Sequence, residues 1–167
     1  RYIAVTGVQT CALPISTLQA TLRQLGRTIA AIERRIREVL TRAGWQHQAR
    51  RCRAIGGIGP ITAAALVMAF ARGRFANSDA FIAFLGLDVR IRDSGRKRGQ
   101  RKLTKQGDGE IRRLLYLAAM QAKAQPAWRA LFQRHLDRGL SRVQALNVLA
   151  RKLARVAFAL MKNETEY

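Results

Sequence analysis

From Leu18 onward the apolar positions fall at Leu18, Leu22, Leu25, Ile29, Ile32, Ile36, Val39 and Ala43. The interval alternates between four and three residues, which predicts one long helix over 18–44 with a narrow apolar seam. Glu33 with Arg37, and Arg34 with Glu38, stand four apart and support that helix. Gly26 weakens its middle by about 1 kcal/mol relative to alanine. A seam this narrow, between polar flanks, suits a coiled-coil partner better than a helix laid along its own domain.

The pattern then changes. A helix is predicted to end near Arg53, and Gly56-Gly57-Ile58-Gly59 forms a turn before Pro60, which opens an alanine-rich helix from its first position. Asn77-Ser78-Asp79 caps a short helix over 80–85 that Gly86 closes. Residues 87–92 alternate, Val89 and Ile91 against Arg90 and Arg92, and read as extended. Asp93 to Gly107 holds six cations and three glycines, so a flexible basic loop is expected. Asp108 caps a helix from Gly109 to Lys123, Pro126 opens another that ends before Gly139, and Ser141 caps the last, to about Met161. The predicted fold is mostly α: a long coiled-coil-like helix followed by a compact helical domain with a helix-hairpin-helix element and a basic loop.

Residues 1–16 stand apart from this scheme. They show no periodicity that continues into the helix, and they lack the basic and long apolar regions of a signal peptide. The segment resembles translated sequencing-adaptor read-through, the alternative being a short native strand over 2–5. The expected organisation is therefore 1–16 non-native, 17–50 coiled-coil helix, 51–162 compact domain and 163–167 tail.

Composition sharpens the function classes. At 49% hydrophobic residues the 167-residue chain can bury a core, yet no apolar run reaches the roughly 18 residues of a membrane span. Two cysteines, Cys11 and Cys52, exclude a disulfide scaffold, and His47 and His135 are too few for a usual zinc site. The decisive number is the charge. Lys and Arg total 31 against 10 Asp and Glu, a net charge of +21, and 25 of the cations are arginine. A genomic bias toward arginine codons explains part of that excess but not the shortage of acids. The charge gathers in 17–53, 91–113 and 114–167, leaving 54–90 nearly neutral. Arginine's planar fork matches phosphate oxygens, so a nucleic-acid partner is expected, with the protein in the cytoplasm and associated with the nucleoid.

Three places carry candidate chemistry. Gly57-Ile58-Gly59 reads either as a hairpin whose backbone N–H groups meet a phosphate or as an ordinary turn between helices. Around Ser94, the cations Arg90, Arg92, Arg96, Lys97, Arg98 and Arg101 can hold a phosphate and stabilise added negative charge. A serine hydroxyl is a weak nucleophile without activation, so the residues alone favour a turn in a phosphate-binding loop. Arg151, Lys152 and Arg155 form either a phosphate track or a solvated face. Trp45, Trp128, Phe132 and Phe158 are expected in the core or an interface rather than as base-stacking platforms.

Taken together, GIGPITAAAL, AFLGLDVRIRDSG, KLTKQGDGEIRRLLYLAA and ARKLARVAFAL resemble the C-terminal domain of insertion-sequence one-ten family transposases, over about residues 18–162. The resemblance implies an RNA-guided serine recombinase, in which a RuvC-like DEDD domain and a coiled coil precede this domain. It implies that Ser94, in Ser94-Gly95, is the catalytic nucleophile, and that Lys105, Gly107, Arg112 and Leu115 form the K-x-G and R-x-L element. Arg151-Lys152-Leu153 matches the late RKL motif. The family usually has proline where Gly56 and Val89 stand here. The implied partners are DNA, a guide RNA and further copies of the chain through the coiled coil, with no membrane. Mg²⁺ is implied for the acidic N-terminal domain, with no cofactor or metal site expected in these residues, which alone should bind DNA without cutting it. The competing reading is a non-catalytic helix-hairpin-helix module of a repair or recombination protein, in which Ser94 is replaceable.

Overall fold

The structure, a computed structural model, describes residues 9–90 and 102–167. The chain divides into two compact units, the first ending at Val39 and the second covering Leu40–Tyr167. The expected boundary near residue 50 thus moves forward. The reason is burial: Leu40 and Trp45 pack on the core of the second unit, and Ala49 and Cys52 lie inside it.

The first unit is carried by α1 (Gln9–Arg42), which begins well before Leu18 and holds Pro14 within it. Leu18, Leu22, Leu25, Ile29, Ile32 and Val39 are each more than half exposed along it. Glu38 pairs with Arg35 at 3.1 Å, three residues back, rather than with the Arg34 that the spacing predicts. Gly44, at φ +73°, ends the helix by taking the left-handed conformation.

The second unit is helical. It contains α2 (Gln46–Ala54), α3 (Pro60–Ala71), α4 (Ser78–Phe84), α5 (Gly109–Ala122), α6 (Pro126–Asp137) and α7 (Arg142–Asn163). The caps act as their residue types predict. Ala80 N donates to Asn77 Oδ1 (2.9 Å) and Glu110 N to Asp108 Oδ1 (2.8 Å). Ser141 and Gln144 exchange bonds in a capping box. One element departs from the sequence reading: Lys102 and Leu103, expected within the loop, form strand β2. It pairs antiparallel with β1 (Val89–Arg90), Val89 opposite Leu103 and Arg90 opposite Lys102. Leu103 is held by packing on the core.

The last helix is the hub of the unit, packing against α2, α3, α4, α5 and α6. Its buried face alternates alanines (Ala150, Ala154, Ala157) with Leu149, Leu153 and Phe158, so small side chains let neighbouring helices approach. Phe158 joins Phe70, Phe75 and Phe81 in a cluster of tilted and edge-on rings 5.1–6.4 Å apart. Trp128 is buried, while Trp45 and Phe132 are partly buried against the same core. Burial pushes the Cys52 thiol up to about 12, as expected of a small apolar filler rather than a reactive group. Among the described residues, no helix is long and apolar enough to cross a membrane.

Candidate nucleic-acid interface

The glycine-rich turn between α2 and α3 is built for packing. Ile55 and Ile58 are buried, and Ile58 N donates to Ile55 O at 3.0 Å. Gly57 sits at φ +97°, and a Cβ there would lie 2.6 Å from Ala118 O and 2.8 Å from Ala122 N. The missing side chain therefore lets the end of α5 approach the turn. The turn that the sequence offers as a hairpin over a phosphate thus also serves as a packing joint, with Ile58 buried in it. Gly59 differs. It caps α3 with ordinary backbone angles, and a Cβ there would meet no heavy atom within 4 Å.

A second turn is tighter still. Gly86, at φ +68°, closes α4 and faces Gly107; a Cβ on Gly86 would stand 2.5 Å from Gly107 N, and one on Gly107 would stand 2.3 Å from Phe84 O. Backbone meets backbone here. Arg112, half-buried on the first turn of α5, bridges the contact: its Nη1 donates to Gly107 O (2.6 Å) and to Leu85 O (3.4 Å). Lys105, at φ +56°, donates its N–H to Gly86 O (3.2 Å) and leaves its side chain exposed. Thr104 N donates to Asp88 O (3.0 Å), while its hydroxyl donates to Asp88 Oδ1. Each feature of the K-x-G stretch thus has a local cause. Arg112, which the resemblance puts in the R-x-L element, is engaged with backbone carbonyls and acts as a clamp.

These bonds fix the two ends of the segment between the strands. Arg90 and Lys102 leave the pair directly opposite each other, both exposed, so two like charges share one face. Such a pair is unfavourable unless an anion lies over it. Ser94, Arg92, Arg96, Lys97, Arg98 and Arg101 lie outside the described residues.

Arg151 and Lys152 sit elsewhere, on the face of α7 that meets α6. With Arg155, Val148 and, from α6, Leu131 and His135, they line an open pocket of about 230 Å³. Arg155 Nη2 is bonded to Asp79 Oδ1. Burial, with Arg155 nearby, lowers Arg151 from its ordinary value. Neither Leu131 nor His135 belongs to the α7 run; tertiary packing alone brings them to it. Among the described residues, no three His, Cys, Asp or Glu side chains come together in a group able to hold a metal ion.

Comparison with known proteins places this architecture. The profile of the transposase IS116/IS110/IS902 family matches residues 49–133. A probable family 20 transposase of Pseudomonas aeruginosa is 31% identical over 159 residues, covering 87% of this chain and 46% of its own. An uncharacterised 42 kDa protein of insertion element IS900 from Mycobacterium paratuberculosis is 29% identical, covering 86% and 35%. A 43.6 kDa protein of insertion element IS110 from Streptomyces coelicolor is 31% identical, covering 66% and 28%. The chain spans less than half the length of each of these relatives.

Proposed function

Because the chain belongs to the IS116/IS110/IS902 transposase family, we propose that it supplies the DNA-binding and strand-joining part of a transposase, with Ser94 as the nucleophile. It acts on nucleoid DNA in the cytoplasm. The observation that carries this reading is the β1–β2 pair with the Gly86–Gly107 contact, which flank Ser94 in the sequence. The family match spans the Gly86–Gly107 contact, the strand pair and Ser94. A nucleophile needs a defined position before its surroundings can activate it. In the proposed step the Ser94 Oγ–phosphorus bond forms as a phosphorus–sugar oxygen bond breaks. The serine proton departs and the released sugar oxygen gains one, while the cations flanking Ser94 stabilise the extra charge on phosphorus. The described residues offer no carboxylate cluster for Mg²⁺. A guide RNA, implied by the resemblance, would share the basic faces with DNA. The family match does not favour the non-catalytic hairpin module of a repair protein.

Binding itself is the first test. Affinity of the chain for a random-sequence duplex should fall linearly on log–log axes with salt, with a slope of about −0.9 per phosphate contacted. Arg90→Gln with Lys102→Gln should flatten that slope by about one contact, measured by fluorescence anisotropy at several salt concentrations. Salt-independent binding would refute the reading.

Self-association through α1 is the accompanying proposal. Its seam leaves six large apolar side chains more than half exposed, enough for a second copy of the same helix. Ile29→Asp with Ile36→Asp should abolish the oligomer in analytical ultracentrifugation. A wild-type chain that sediments as a monomer, or a variant that keeps its oligomer, would sink the idea.

A further inference from the structure

The pocket between α6 and α7 is too cationic to be explained by packing. Val148, Arg151, Lys152 and Arg155 fall at i, i+3, i+4 and i+7, so one face of α7 carries three cations into a single opening. Leu131 and His135, one turn apart on α6, form the opposite wall. Arg151 Nε and Arg155 Nε are both buried, and neither has a hydrogen-bond partner among the described residues. A guanidinium N–H removed from water and left unbonded costs free energy, and two neighbouring guanidinia add their mutual repulsion. One carboxylate, Asp79 at the start of α4, is bonded to Arg155 and is not among the residues that line the pocket. Three cations beside one acid leave the site short of negative charge.

We propose that this pocket is a phosphate clamp that holds one backbone phosphate of the bound nucleic acid. The inference rests on the nucleic-acid reading above and adds a contact point away from the Ser94 segment. Phosphate fits for three reasons. Its oxygens offer more acceptor sites than a carboxylate, and the planar fork of a guanidinium suits them in pairs. The opening, at about 230 Å³, admits a phosphate together with part of its sugar. Leu131 and Val148 give that sugar an apolar wall, while exposed Lys152 stands at the rim as a point charge.

The test uses the whole chain and a fluorescein-labelled 20-base-pair random duplex. Arg151→Gln with Lys152→Gln should weaken binding about tenfold to a hundredfold, the effect of losing charge-assisted hydrogen bonds. It should also reduce the salt slope by about 0.9. Arg72→Gln with Arg74→Gln removes the same charge from exposed positions and should change affinity far less. Thermal melting monitors folding. If Arg151→Gln does not fold, the exposed Lys152→Gln alone and the His135 ring resonances, identified by their loss in His135→Gln, carry the test. A short oligonucleotide such as pTpT should shift those resonances saturably. Equal losses in the pocket and control variants would overturn the clamp while leaving DNA binding intact. So would His135 resonances that move with polyglutamate and stay still with pTpT. A chain that fails to bind duplex yet shows the saturable His135 shift would support the clamp and refute the wider DNA reading; absence of both responses would overturn the two together.

Discussion

Gly107→Ala should destabilise the Leu40–Tyr167 unit by about 3 kcal/mol, lowering its melting temperature by roughly 10 °C. The added Cβ would stand 2.3 Å from Phe84 O, 2.4 Å from Leu85 C and 2.7 Å from Gly86 N. All three are backbone atoms, so relief requires α4 to shift against the Lys105–Gly107 stretch. That movement separates Arg112 from Gly107 O and Leu85 O, and a guanidinium left half-buried without acceptors adds to the loss. Gly59→Ala is the natural control, since its Cβ meets nothing within 4 Å and its φ of −84° suits alanine. It should change stability by less than about 1 kcal/mol. Differential scanning calorimetry of both variants decides the matter. If Gly107→Ala melted with the wild type, the contact would not be the anchor described here.

What could be read from the sequence follows how local each signal is. Asn77, Asp108 and Ser141 cap helices through bonds to residues two or three positions away, and Pro60 and Pro126 open helices from their own backbone geometry. Those boundaries were legible because nothing distant is needed to set them. The hairpin glycine was not: Gly57 is required by Ala118 and Ala122, which stand far along the chain in α5. A Gly-Ile-Gly string looks the same whether its partner is a phosphate or another helix. Strand β2 has only two residues and exists because Val89 and Arg90 lie beside it, with Leu103 on the core. No run of two residues carries a periodicity. Arg112 resembled the other basic residues on paper, and only the neighbouring carbonyls reveal it as a clamp. The α6–α7 pocket illustrates the same limit. Its α7 cations were visible as a run, but His135 and Leu131 join them only through helix packing.

The seam of α1 shows the converse. Its heptad spacing was fully legible, and the structure leaves six of its large apolar residues more than half exposed along the helix. Periodicity reports that a face wants cover; it does not say which molecule provides it.

The central claim is that Ser94 joins covalently to DNA. The direct measurement is trapping of the protein–DNA species, in a chain extended to the length of its family relatives and supplied with the guide RNA that the family resemblance implies. The wild-type protein should yield an adduct that survives denaturation and maps by mass spectrometry to Ser94. Ser94→Ala should yield none, while its affinity for the same duplex stays within about twofold, because the hydroxyl takes part in bond exchange rather than in the phosphate contacts that dominate binding. An adduct that persisted in Ser94→Ala, or mapped to another residue, would contradict the account.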